Sequence, residues 1–438
     1  ADQVVRIHYG KQTGGVLKLN KQPTGFELDR GAVVFGDRRP ELPVNTGLHI
    51  GGQLDEFSVD GWIDVTRDPS PDEPRQPGLD NYPLLRVLQE VEVRANVVEF
   101  LGQPYRDTHV TVKRDGQTGW RGHIMSDAIE GTAFFPVPQS PPRPIQVDLS
   151  RLALHKVDND SDKEIGDPGR LPPFKFSCRS FHYDDQSLGT IKFSASPNDE
   201  GLRIDSFLLL GDGYEASSQG AWQYNEEQGH RTHLVTNVHA DELSALLDVL
   251  GYQGGSTGGA TELSANLTWN DAPSNFALSG VEGVVHLRSN RGRLLNVDPG
   301  AAGRLFGSLM LTALPRRLKL DFSDVFGEGV EFDSIEGSFG LARGHAYTNN
   351  LRLESEATRI EIAGRTGLVT EDYDQIVTVA PKLASSLPLA PLWLIEKVLK
   401  KSIFDKAFAY RYTITGPWAK PQIERVIVET SATRRENP

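Results

Sequence analysis

The chain has 438 residues, of which 38% are hydrophobic, and its formal net charge at pH 7 is −13. This negative charge argues against nucleic acid as a partner, because phosphate binding requires a basic surface. The single cysteine, Cys178, excludes an intrachain disulfide bond, and no apolar run reaches the roughly 18–20 residues that span a bilayer.

Apolar and polar residues alternate along most of the chain. Val91 and Val93, for example, alternate with Glu92 and Arg94. The same period of two occurs at residues 5–9, 17–19, 26–28, 110–112, 191–195, 263–269, 351–353 and 360–362. A period of two is typical of strands with one apolar face, and the intervening Gly, Asp and Asn clusters are typical of hairpin turns. The pattern therefore predicts a mainly antiparallel sheet.

Three helices are predicted, in chain order, over residues 241–250, 299–313 and 391–408. The first carries leucines on one stripe and stops at Gly251, and the second begins at Asp298-Pro299, which suits a capped N-terminus. The third is amphipathic, and two roles remain open for it: binding a membrane surface or packing on the end of the sheet with a solvated basic face. Its apolar side carries Leu392, Ile395, Leu399 and Phe404, and its basic side carries Lys397, Lys400 and Lys401.

Composition changes divide the chain into five expected segments. Residues 68–77 are rich in proline, and a loop at 158–175 is acidic and contains proline. We expect strands over 1–157, the loop at 158–175, strands and a short helix over 176–297, a C-terminal segment over 298–430 and a tail at 431–438.

No motif in the sequence indicates catalysis or metal binding. Asp158, Asp160 and Asp162 begin like a calcium-binding loop, but Lys163 and Gly169 occupy the positions that require glycine and glutamate. The eleven histidines are scattered without neighbouring ligands at metal-binding spacing. We therefore expect no enzyme activity, no cofactor and no metal.

Several short motifs in the C-terminal half carry a family signature. They are LLNVDPG at 294–300, LPRRL at 314–318, LDF at 320–322, DVFGEG at 324–329 and ITGPW at 414–418. Together they closely resemble the AsmA-like C-terminal region of the YhdP proteins of Gram-negative bacteria. The resemblance is strong over residues 243–428 and looser upstream. The family usually has a longer Gly- and Ala-rich stretch near 387–393, which is short here.

The resemblance implies a part of a large envelope protein that an N-terminal helix anchors in the inner membrane. Such proteins are regarded as bridge-like carriers that cross the periplasm and move phospholipid towards the outer membrane. The resemblance thus implies a periplasmic location and phospholipid as ligand. It also suggests contacts with outer-membrane or periplasmic proteins, and membrane contact through the anchor and the third helix.

The expected fold is mainly β: an elongated, twisted antiparallel sheet that curls into an open hydrophobic groove, with a few amphipathic helices. Because Ile376 and Val377 are adjacent, only one can face the groove, and Ile376 is taken as the candidate. The candidate lining residues are Leu263, Ala265, Leu267, Phe276, Leu278, Leu320, Phe322, Phe332, Leu351, Leu353, Ile360, Ile362 and Ile376. The same alternation also fits a closed sandwich that serves as a structural or assembly factor in outer-membrane biogenesis.

Overall fold

The fold is mainly β, as predicted. The computed structural model describes residues 3–10, 12–23, 25–58, 87–100, 103–116, 118–137, 141–155, 166–184, 186–249, 256–295, 329–356, 358–382 and 409–426. Contacts divide the chain into two compact units, Ala1–Gly211 and Asp212–Pro438. The five segments expected from composition stay a prediction.

The first unit is a sheet in which each strand pairs with the next along the chain. No pair between its first and last strands is found among the described residues, so this sheet is not closed into a barrel. Its strands are β1 (Gln3–Tyr9), β2 (Thr13–Gln22), β3 (Gly25–Phe35), β4 (Gly47–Ser58), β5 (Leu88–Phe100), β6 (Gln103–Asp115), β7 (Gly119–Met125), β8 (Ile129–Pro136), β9 (Ile145–Leu154), β10 (Phe174–Tyr183), β11 (Gln186–Asn198) and β12 (Gly201–Gly211).

Three pairs in the first unit are parallel and the other eight are antiparallel, so the sheet is mainly antiparallel, as predicted. The parallel pairs are β3–β4, β4–β5 and β9–β10. A parallel neighbour starts at the same end of the sheet, and its connection must therefore return past the preceding strand. The three connections are residues 36–46, 59–87 and 155–173. The second contains the proline-rich stretch 68–77, and the third contains most of the acidic loop.

The second unit is antiparallel throughout its described pairs. The short β15 and the longer β16 lie end to end and both pair with β17. Its elements are β13 (Tyr214–Asn225), β14 (Gly229–Ala240), helix α1 (Leu243–Val249), β15 (Ser256–Gly258), β16 (Thr261–Trp269), β17 (Glu282–Leu295), β18 (Gly329–Ala342), β19 (His345–Glu354), β20 (Thr358–Gly367), β21 (Asp372–Pro381), β22 (Tyr410–Pro417) and β23 (Gln422–Val426).

Helix α1 confirms the prediction of a helix over 241–250. Its Leu243 and Leu247 are buried, as the leucine stripe requires. The predicted helices at 299–313 and 391–408 lie outside the described residues. Single 3-10 turns occur at Pro168–Arg170 and Pro273–Asn275. Within the described ranges, no helix is long and apolar enough to cross a bilayer.

The β18–β19 hairpin shows how local sequence sets a tight turn. Its two-residue loop, Arg343-Gly344, has φ values of 51° and 75°. Two successive positive φ angles match the right-handed twist of the flanking strands, and glycine adopts such an angle without a Cβ clash. The loop therefore joins two long strands with no extra residues.

Candidate functional site

The strongest candidate site is one face of the first unit's sheet. Residues directly opposite each other on paired strands point to the same face, so the register traces rows of side chains across the sheet. One row, which we call the central row, crosses all twelve strands without a polar residue. It consists of Ile7, Gly15, Val33, Ile50, Val91, Val112, Gly122, Ala133, Val147, Phe176, Phe193 and Phe207.

A second row lies next to the central row on the same face, two residues away from it on every strand. Thr13 is its one polar member, and most side chains of both rows are half-buried. The second row consists of Tyr9, Thr13, Phe35, Gly52, Val93, Val110, Ile124, Gly131, Leu149, Cys178, Ile191 and Leu209. The two rows form a continuous apolar surface that water still reaches.

The opposite face of this sheet is mainly polar over β5 to β11, whereas on β2 and β3 it carries the buried Val16 and Ala32. From β5 to β11, the row between the two apolar rows is Glu92, Thr111, His123, Thr132, Asp148, Ser177 and Lys192. Two of its members are hydrogen-bonded: the Ser177 hydroxyl donates to Asp148 Oδ1 at 2.7 Å. Nearby on this face, a hydrogen bond from Lys113 Nζ, 2.8 Å from Glu90 Oε1, lowers the pKa of the Glu90 carboxyl group. Over these strands the charged side chains therefore lie on the face opposite the two apolar rows.

The described crossover connection at 36–46 packs on this opposite face. A Cβ at Gly14 would lie 2.9 Å from Pro40 Cδ, and Gly14 points away from the apolar rows. Arg30 Nη1 donates to the Val44 carbonyl oxygen at 3.0 Å, which holds the same connection in place. The β3–β4 crossover therefore leaves the apolar rows uncovered.

The second unit has an equivalent row that is more deeply buried. It crosses nine strands and consists of Ala216, Val238, Leu263, Leu287, Gly337, Leu351, Ile362, Val377 and Tyr412. Within this row Val377 is fully buried, and in the adjoining row Leu353 and Ile360 are each 1% exposed. Leu243 and Leu247 of α1 belong to the same cluster. From β19 to β22 this face is closed to water, whereas Ala216, Val238 and Leu263 on β13, β14 and β16 are half-buried like the rows of the first unit.

Most of the groove-lining residues predicted from the sequence lie on this face of the second unit or in its buried cluster. Leu263, Ala265 and Leu267 share the face on β16. Leu351, Leu353, Ile360 and Ile362 share it on β19 and β20, and Phe332 is 2% exposed in the same cluster. Leu320 and Phe322, like the third-helix residues Leu392, Ile395, Lys397, Leu399, Lys400, Lys401 and Phe404, lie outside the described residues.

Three candidates do not line this face. Ile376 pairs with Ala363 and Thr413 on the opposite face and is 46% exposed, because its neighbour Val377 takes the inward position. Phe276 and Leu278 follow the second 3-10 turn and are not part of a strand. Phe276 is half-exposed and meets Trp269 edge-on at 5.4 Å.

Sequence reasoning missed the two rows of the first unit as a site. In the sequence, Val91 and Val93 are separated by a polar residue, and so are Val110 and Val112. This pattern places each pair on one face of its own strand. It could not show that the faces join, because the register depends on pairing between distant strands. The sequence therefore shows which residues share a face of one strand, but only the strand pairing shows that these faces form one surface.

The polar face of the second unit has a concavity of about 760 Å³. Its arginines are already paired: Arg288 Nε lies 3.1 Å from Glu336 Oε1, and Arg352 Nη2 lies 3.3 Å from Glu361 Oε1. In the part of the chain that is described, no group of three or more His, Cys, Asp and Glu side chains could hold a metal ion. The apolar rows remain the better candidate site.

Comparison with known proteins agrees with the resemblance to the YhdP proteins that the C-terminal motifs indicate. The Escherichia coli (strain K12) protein named intermembrane phospholipid transporter YhdP is 24% identical over 266 residues, which cover 58% of this chain and 21% of that protein. The chain thus spans about a fifth of that relative's length. No solved structure matches significantly. The YhdP protein family model matches residues 2–423, and the chain therefore belongs to the YhdP family.

Proposed function

We propose that this chain shields phospholipid acyl chains on its apolar sheet faces, as part of an intermembrane phospholipid transporter in the periplasm of a Gram-negative envelope. The observation that carries the proposal is the central row of the first unit. It stays apolar or glycine across twelve strands, and most of its side chains are only half-buried. Membership of the YhdP family and the name of the matched relative support it.

The physical need for such a face is large. Two acyl chains hold roughly 30 methylenes, and each costs about 0.8 kcal/mol in water, so exposing a diacyl lipid costs on the order of 20 kcal/mol. A continuous apolar surface removes most of that cost at every position along the row. Movement along the sheet then needs no chemical step, and we propose that the chain has no enzymatic role.

The dimensions of the first unit suit this task. With twelve strands about 4.8 Å apart, the central row extends on the order of 50 Å across the sheet. The face offers no charged group to a headgroup along the two rows, so the headgroup remains in solvent. We therefore infer weak headgroup selectivity.

The burial in the second unit favours a second candidate function. Leu353, Ile360 and Val377 are at most 1% exposed, as in a dry protein core. A unit of this kind can serve as a structural module that holds envelope partners rather than lipid. If so, lipid binds to the first unit alone.

The proposal is tested with two glutamine variants on the same strand. Val112 lies in the central row, and Thr111 lies on the polar face. The full chain is incubated with phosphatidylethanolamine vesicles, re-isolated and examined by native mass spectrometry. We expect bound phospholipid on the wild type, several-fold less on Val112→Gln, because an amide in an apolar site is unfavourable, and no change on Thr111→Gln.

Two results would contradict the proposal. One is a wild-type chain that carries no lipid, which would favour the structural module. The other is equal loss of lipid in both variants, which would place the lipid elsewhere. Thermal melting of both variants checks that each is folded.

A further inference from the structure

Tyr105 stands out within the apolar face of the first unit. It lies near the start of β6 opposite Val98 and is 2% exposed. It belongs to a buried cluster with Ile129, Leu149 and Cys178. Residues of both rows, such as Ile124 and Phe176, pack against this cluster. Tyr105 therefore belongs to the apolar face, beyond the second row.

The phenol oxygen of Tyr105 has no hydrogen-bond partner among the described residues. Two polar groups of the same strand and cluster are paired with backbone carbonyls: the Thr108 hydroxyl donates to the Tyr105 carbonyl oxygen at 2.9 Å, and the Cys178 thiol donates to the Ser180 carbonyl oxygen at 3.4 Å. A buried hydroxyl without a partner is unfavourable, and most buried polar atoms in proteins have one. The site thus has a free donor in apolar surroundings.

The chemistry of this donor restricts what it can bind. Burial raises the pKa of the Tyr105 phenol, so the hydroxyl stays neutral and donates. The clustered side chains around it are apolar, which disfavours an anionic phosphate as the bound group. A neutral acceptor on a largely apolar ligand fits better, and the ester carbonyl oxygen of a glycerolipid is such an acceptor.

The position along the strand also suits an ester group. Beside Tyr105 the chain turns polar: the Arg106 backbone N–H donates to Asp127 Oδ1 at 3.0 Å, at the β7–β8 turn. The two apolar rows lie beyond Arg106 on the same strand, at Val110 and Val112. Acyl chains on the rows would place their ester groups at this border between apolar and polar surface.

We propose that a bound glycerolipid displaces the side chains that cover the Tyr105 hydroxyl, which then donates a hydrogen bond to an ester carbonyl oxygen of the lipid and so sets the depth at which the lipid lies. This inference rests on the proposed function. It makes Tyr105 a selectivity residue that distinguishes ester-linked from ether-linked lipids, because an ether oxygen is not a carbonyl acceptor.

The test is a competition on the full chain. Vesicles contain equal amounts of dioleoyl phosphatidylethanolamine and its ether-linked dioleyl analogue, and native mass spectrometry gives the ratio of the two lipids bound. We expect the wild type to favour the ester lipid by about threefold to tenfold, and Tyr105→Phe to bind both about equally. Tyr183→Phe, which alters a tyrosine that is 41% exposed, should keep the wild-type ratio.

The lipid-free melting temperature provides a second readout. Since Tyr105→Phe removes an unpaired hydroxyl, we expect it to melt at the wild-type temperature or above. A ratio that Tyr105→Phe leaves unchanged would overturn the inference, and so would a variant that melts several degrees lower, since the hydroxyl would then have a partner in the free protein. A wild type that binds neither lipid would contradict the proposed function and this inference together.

Discussion

At the residue scale, the best-defined charged contact in the second unit is the clamp around Asp372. Arg365 Nη1 donates to Asp372 Oδ1 at 3.0 Å, and Arg365 Nη2 and the Thr370 hydroxyl also donate to the carboxylate. The hydrogen bonds from Arg365 are the main reason that the Asp372 pKa falls to about 2. Trp418 Nε1 donates to the Asp372 carbonyl oxygen at 3.1 Å. The clamp thus joins the ends of β20, β21 and β22.

A depressed carboxylate pKa makes this contribution to stability depend on pH. The charged form is favoured in the folded state, so the stabilisation is complete above the unfolded pKa near 3.9 and is lost as pH falls towards about 2. We expect Asp372→Asn to lower the free energy of unfolding at pH 7, and the deficit to shrink between about pH 4 and pH 2. Denaturant titrations across this range measure it. A deficit that is constant down to pH 2 would show that the carboxylate charge is not the cause.

At the scale of single elements, β18 depends on a glycine that makes room for a neighbouring strand. A Cβ at Gly337 would lie 2.8 Å from Leu351 Cδ1 and 2.9 Å from Leu351 Cα. The side chain of Leu351 therefore occupies the space that a larger residue at position 337 would need. Three residues along the same strand, a Cβ at Gly340 would enter open space, and the φ angle of Gly340 is not positive.

These two glycines form a matched pair for mutation. We expect Gly337→Ala to destabilise the protein by about 1–3 kcal/mol, because the backbone of β19 must move to accept the methyl group. Gly340→Ala should be neutral or slightly stabilising, since alanine restricts the unfolded chain. Equal melting temperatures for both variants would show that the close approach of β18 and β19 is not required.

Individual elements were the part of the fold that sequence could predict. Alternation at Val91 and Val93 placed a strand correctly, and the leucine stripe of α1 placed the helix. The parallel pair β9–β10 could not be predicted, because it depends on where a long connection returns and not on any local pattern. The choice between Ile376 and Val377 failed for a related reason: both are apolar and β-branched, and only the pairing with β20 and β22 decides which one is buried.

At the scale of the whole molecule, the proposed function depends on rows that no single strand contains. The family could be inferred from motifs near Asp298 and Leu314, but the candidate surface could not, since its twelve-strand continuity is a property of the register. The contrast between the half-buried first unit and the closed cluster of the second unit likewise arises from packing. We propose that the open face of the first unit carries lipid, and the closed cluster of the second unit is the observation that favours a structural role there.

The most direct measurement is a photo-crosslinking scan of the first unit with phospholipid vesicles. A photoreactive phenylalanine derivative is placed at four central-row positions and at the adjacent residue of each strand, which lies on the polar face. The row positions are Val91, Val112, Val147 and Phe193, and their neighbours are Glu92, Thr111, Asp148 and Lys192. A continuous lipid-binding face predicts crosslinks to phospholipid at all four row positions and at none of the neighbours. Equal crosslinking on both faces, or none on the row, would contradict it.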